Sequence, residues 1–182
     1  ASGILFLGLI SYITAFHQNA PILDDFYAVL RFLLEWLDAP DTSARIDLLF
    51  EPHNEHRIMI VRLAVLFDVA LFGEVNFRHL AVYAALALVP IAAALLYLLR
   101  HEWKAGNALG ALVIVTVTAL LFRPEHFKHL LYPMSHIATL WGLAFGLWFL
   151  ILISARPLVA RTSGCMLLIL SVLSSSSGLV LL

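Results

Sequence analysis

The chain is short of charge. Only 13% of its 182 residues are Asp, Glu, Lys or Arg, where a soluble domain carries about 25%. That shortage excludes an ordinary water-solvated domain. The 11 basic and 12 acidic residues nearly cancel, to a net charge of −1, so no basic face for nucleic acid is expected. A single cysteine, Cys165, excludes an internal disulfide; within an apolar run it reads as a small buried hydrophobe. Neither HExxH nor HxxEH occurs, which removes the zinc-protease signature. No internal repeat is visible.

What the chain has instead is grease, with 62% hydrophobic residues. Uncharged runs cover residues 80–99, 105–122, 137–155 and 162–182, each about the 20 residues that carry a helix across ~30 Å of hydrocarbon. A fifth run, residues 1–16, is slightly short and lacks the basic flank and cleavage site of a signal peptide. The expected fold is an all-α polytopic transmembrane helix bundle. It has about five spans, plus one or two interfacial helices in a first external loop. The single membrane domain divides into a first span at 1–17, the loop at 18–76, and four further spans in 77–182.

Within the loop, residues 25–37 are apolar apart from Asp25, Arg31 and Glu35. Arg31 and Glu35 lie four apart and can pair on one helical face. Phe26, Tyr27, Leu30, Leu33, Leu34 and Leu37 then form the other, as in a helix lying in the membrane surface. Asp41 or Ser43 can cap the short helix that follows. Residues 58–72 carry Arg62 and Asp68 and are short for a span, which suggests a juxtamembrane helix, or one partly embedded against neighbours, ended by Gly73, with full spanning as the alternative. Pro90 should kink the second long run. Gly106/Gly110 and Gly142/Gly146 are GxxxG pairs that permit close helix approach.

Chemistry concentrates in two places. Asp24-Asp25 puts two carboxylates just past the first run, suited to general-base work or a divalent cation; the bland alternative is a helix cap. Residues 51–57 (Glu-Pro-His-Asn-Glu-His-Arg) hold five titratable groups. His53 and His56 would share a face of a helix and offer metal ligation, while Arg57 suits a phosphate. A satisfied polar network, with Glu55 against Arg62, is the structural alternative. A second patch, Arg123, Glu125, His126, Lys128, His129 and His136, falls on the same side if the spans alternate. Haem is not expected, because the histidines sit at run ends and in loops rather than facing one another at matched depth.

A first span, an acidic pair, an interfacial helix and then Pro52-His53-Asn54-Glu55-His56-Arg57-Ile58 resemble the start of GT-C-type membrane glycosyltransferases. They are most similar to bacterial members carrying an "HNEHR" segment. Trp141-Gly142 and Ser176-Ser177-Gly178 fit the same pattern. The similarity runs over most of these 182 residues but matches only the amino-terminal part of such enzymes. It implies a catalytic carboxylate, Asp24 or Asp25, activating an acceptor hydroxyl, with a polyprenyl-phosphate-linked sugar as donor. His53, Glu55, His56 and Arg57 would position phosphate or sugar. It also implies a bacterial inner (cytoplasmic) membrane location with the long loop outside. Both ends read as cut, so the chain by itself is expected to be catalytically incomplete. The alternative expectation is a noncatalytic accessory subunit, with a related fold, of a larger respiratory or photosynthetic membrane complex.

Overall fold

The computed structural model describes residues 2–54, 56–102, 108–122 and 132–175. Among them the chain is all-helical, and the single β-type contact is the His53–His56 bridge. The elements are α1 (Ser2–Phe16), a π-helical stretch (Phe26–Arg31) running into α2 (Phe32–Asp38), α3 (Thr42–Phe50), α4 (Met59–Phe72), α5 (Phe77–Leu86), α6 (Leu88–Glu102), α7 (Ala108–Leu121), α8 (Pro133–Ile153) and α9 (Leu158–Ser174).

Among the described residues, two helical runs are long and apolar enough to cross a membrane: Phe77–His101, formed by α5 and α6, and Pro133–Ile153, which is α8. Helices α1, α7 and α9 are apolar but shorter, at 15, 14 and 17 residues. The last begins four residues earlier than its uncharged run, because Arg161 is accommodated in its first turn, its Nε donating to the Ala155 carbonyl (2.8 Å). Cys165 lies exposed on α9 rather than buried.

The two long runs pack parallel and in register. The Trp141 indole N–H donates to the Tyr83 carbonyl and the Trp148 indole to the Pro90 carbonyl, both at 3.0 Å and both across a separation of 58 residues. Proline supplies no N–H to the turn before it, and the helix tightens there. Ala87 donates to the Ala84 carbonyl rather than to Tyr83. The expected disturbance at Pro90 is therefore a local break at Ala87.

Helix α9 returns antiparallel along α8. Ser171 Oγ donates to the Gly142 carbonyl (2.8 Å) and Ser174 Oγ to the Ala138 carbonyl (2.9 Å). Gly142 and Gly146 are buried, so one of the two GxxxG pairs serves close packing inside the chain. Gly110 is also buried, and its partner Gly106 lies outside the described residues.

The start of α5 is pinned by three side chains. Asp68 Oδ2 accepts from Asn76 N–H (2.7 Å), Asn19 Oδ1 from Phe77 N–H (2.8 Å), and Asn76 Oδ1 from Arg78 N–H (2.9 Å). These satisfy donors that a helix start leaves open. Asp68 is fully buried and also takes bonds from His79 Nδ1 and the Tyr83 hydroxyl, both at 2.9 Å. Helix α4 turns Arg62, Val65 and Asp68 inward, exposes Leu63, Phe67 and Leu71, and stops at Gly73 with φ +79°. Arg31 and Glu35 pair at 2.7 Å on the surface, while Phe26, Tyr27, Leu34 and Leu37 are exposed.

Candidate functional site

Three clefts meet at one end of the bundle, and Asp24 lines all of them. The first, of about 390 Å³, is mainly polar and is walled by Tyr27, Arg31, Glu35, Glu51, His53, Asn54 and Arg62. The second, of about 200 Å³, lies between the His53–His56 turn and the start of α8, at Met134, Ser135 and Thr139. The third, also about 200 Å³, brings Asp25, Tyr132 and His136 beside Asp24. His136 is thus on the side expected of the second polar patch. The rest of that patch, residues 123–129, lies outside the described residues.

The two adjacent aspartates differ completely. Asp24 is exposed, whereas Asp25 is 1% exposed. Asp25 accepts from Ile22 N–H at Oδ2 (3.1 Å) and from Met134 N–H at Oδ1 (3.4 Å). It does not cap its own helix, as the bland alternative supposed; its side chain reaches the start of α8 instead. Burial pushes its proton affinity above the ordinary carboxylate range, against the two N–H bonds, which lower it, and with Asp24 adding to the rise.

His53 and His56 do not share a helical face. Each N–H donates to the other's carbonyl, at 2.8 and 3.0 Å, closing a tight turn. Asn54 enters it at φ +53°, a left-handed conformation that Asn tolerates better than most residues. The turn points His53 into the first two clefts and His56 into the second. His53 is half-buried, and that burial lowers its proton affinity, opposed by the charge of Asp24 and reinforced by Arg62 and His56. Among the described residues no group of three or more His, Cys, Asp or Glu is arranged to hold a metal ion.

Arg57 is exposed, donates to the Phe50 carbonyl (2.8 Å), and lines none of the three clefts. Glu55 lies outside the described residues. The guanidinium groups in the wall of the first cleft are those of Arg31 and of Arg62, the latter from α4. Arg62 Nη1 donates to the carbonyls of Leu48, Leu49 and Glu51 at the end of α3, and its guanidinium carbon lies 5.2 Å from the Phe32 ring centroid. The sequence brought Arg62 to this cluster only as a structural partner of Glu55, not as part of a binding site. Sequence reasoning also passed over Asn54, Tyr27 and Thr139. Of these, Asn54 alone carried a local signal, as a turn former inside the charged cluster.

The described residues are therefore all-helical, with two helical runs suited to a membrane and a polar, carboxylate-centred group of clefts at one end. No protein-family model, curated protein or solved structure matches the chain.

Proposed function

We propose that the chain is a polytopic membrane protein of about five spans, with the π–α2 segment and α3 at the outer face of a bacterial inner membrane. It supplies the amino-terminal, base-bearing part of a GT-C-like glycosyltransferase. In this reading Asp24 takes the proton of an acceptor hydroxyl. The oxygen attacks the anomeric carbon of a polyprenyl-phosphate-linked sugar, the bond from that carbon to the phosphate oxygen breaks, and the lipid phosphate leaves with the electron pair. His53 and Asn54 hold hydroxyls in the cleft.

The observation that carries the reading is the placing of Asp24, an exposed carboxylate common to three clefts beside a half-buried imidazole. A general base must be reachable by the hydroxyl it deprotonates; Asp25, with both oxygens accepting backbone N–H groups, is not. The test is transfer of radiolabelled sugar from a polyprenyl-phosphate donor in membranes holding the whole enzyme of which this chain is read as the amino-terminal part, native or Asp24→Asn. The expected result is loss of at least a hundredfold, the scale of a missing acid–base group, with the folded protein retained. Undiminished transfer in Asp24→Asn sinks the reading.

A second reading, an accessory subunit, is favoured by the outer surface of α9, where Leu158, Val159, Met166 and Ile169 are all well exposed. It calls for a partner at fixed stoichiometry after purification in mild detergent. An isolated chain that is stable by itself and binds donor removes it.

A further inference from the structure

Residues 22–25 form a closed corner. Asp25 N–H donates to the Ile22 carbonyl (3.1 Å) while Asp25 Oδ2 accepts from Ile22 N–H (3.1 Å). Between them Leu23 is held at φ +49°, a left-handed conformation that a leucine avoids unless its surroundings impose it. On the far side, the Asp24 carbonyl accepts from Tyr27 N–H (3.0 Å) and Ala28 N–H (2.8 Å). The backbone is thus fixed on both sides of Asp24, and its side chain alone is left open to the clefts. The other oxygen of Asp25 accepts from Met134 N–H, the first N–H of α8, since Pro133 has none. Met134 and Thr139 of that helix form the wall of the second cleft, opposite His53.

We propose that Asp25 is the positioning residue of this site: its buried carboxylate holds the strained corner closed and ties it to α8, so that one side chain sets both the orientation of Asp24 and the width of the cleft behind it. This rests on Asp24 being the reacting carboxylate. A carboxylate suits the task because two separate N–H donors must be met by one short side chain without a donor of its own. The buried charge is tolerated because both oxygens are engaged and α8 presents the positive end of its dipole. An asparagine keeps one acceptor, but turns an NH₂ toward the other N–H.

The test uses Asp25→Asn and Asp25→Ala in the full chain, with two readouts. In sugar transfer, Asp25→Asn should lower kcat by roughly ten- to a hundredfold, the effect of an ångström-scale misplacement. KM for the donor should be little changed, and Asp25→Ala distinctly worse than Asp25→Asn. The second readout needs no activity. Spin labels at Phe26→Cys and Leu143→Cys, both exposed positions outside the clefts, in a Cys165→Ser background, should give one narrow distance with Asp25 and a broadened or shifted one with Asn.

An Asp25→Asn protein as inactive as Asp25→Ala makes Asp25 a reacting group and overturns the proposal. Unchanged kcat with an unchanged distance also overturns it. If the native protein transfers no sugar, the glycosyltransferase reading falls, and the spin-label distance alone decides whether Asp25 anchors the corner. Should Asp25→Asn not fold, Asp25→Glu takes its place. Moving the oxygens by one methylene should lower kcat and shift the distance, and no change in either overturns the proposal.

Discussion

The indole N–H of Trp141 bonds the carbonyl of Tyr83 at the turn where the α5–α6 run loses its regular ladder. Ala87 has turned to Ala84, so Tyr83 depends on a donor from another helix. Trp148 makes the same bond to Pro90 one heptad on, but Pro90 lies within α6, where Ala94 N–H is the helical donor. Trp141→Phe should therefore destabilise by about 1 kcal/mol, the usual scale for an interhelical bond or an orphaned acceptor. Trp148→Phe should lose distinctly less. Unfolding titrations from mild detergent into dodecyl sulfate compare the two, and equal losses would contradict the assignment.

The α8–α9 hairpin makes opposite demands on its glycines. A Cβ at Gly164 would lie 3.3 Å from Ile153 N and Leu152 Cβ, while one at Gly142 would meet Ser175 Cβ at 3.5 Å and Ser171 O at 3.7 Å. Gly164→Ala is expected to cost about 1–2 kcal/mol through forced separation. Gly142→Ala should be neutral or stabilising by up to about 1 kcal/mol, from helix propensity. Thermal unfolding in detergent reads both.

Arg62 is the clasp on the end of α3. Replacing it with Leu removes its bonds to three carbonyls and leaves them in a half-buried setting. A loss of about 1–3 kcal/mol is expected, concentrated in the segment leading to the His53–His56 turn. Faster amide exchange at Glu51 and His53, with little change in α8, is the expected signature. Uniform loosening of the whole chain would show that Arg62 supports the core rather than the cleft.

His53 should titrate below its ordinary 6.5. The sign follows from which state binds more protons. Between the lowered folded value and 6.5, the unfolded chain is protonated and the folded one is not, so acid favours unfolding there. The stabilising contribution is present above pH 6.5 and is lost as pH falls through the folded value. Imidazole NMR signals assigned with His53→Gln check this, and a midpoint at or above 6.5 contradicts it.

Local chemistry was legible in the sequence. Asp41 accepts from Ala44 N–H at the start of α3, Gly73 ends α4, and Arg31 pairs with Glu35, each within a few residues where spacing is informative. The long apolar runs announced α6 and α8 for the same reason. Contacts between distant segments were not legible. Nothing in an Asp-Asp dipeptide tells which member is buried, and the partner that decides it, Met134, lies 109 residues away. Arg62 could be seen as a charge in grease, but its acceptors are backbone carbonyls, which have no sequence. The three-residue spacing of His53 and His56 fits a helix and a two-residue turn equally well. Only the left-handed Asn54 distinguishes them.

The pinning of α5 also dictates an order of events during synthesis. Asn19 meets Phe77 N–H, and the His17 carbonyl accepts from Arg78 Nε. These two bonds cannot form until residue 78 has left the ribosome. Until then the polar loop, with Asp24 and the His53–His56 turn inside it, is tethered at one end only. The first cleft takes shape once the loop is translated and the α5 junction closes it, whereas the second and third wait for the start of α8.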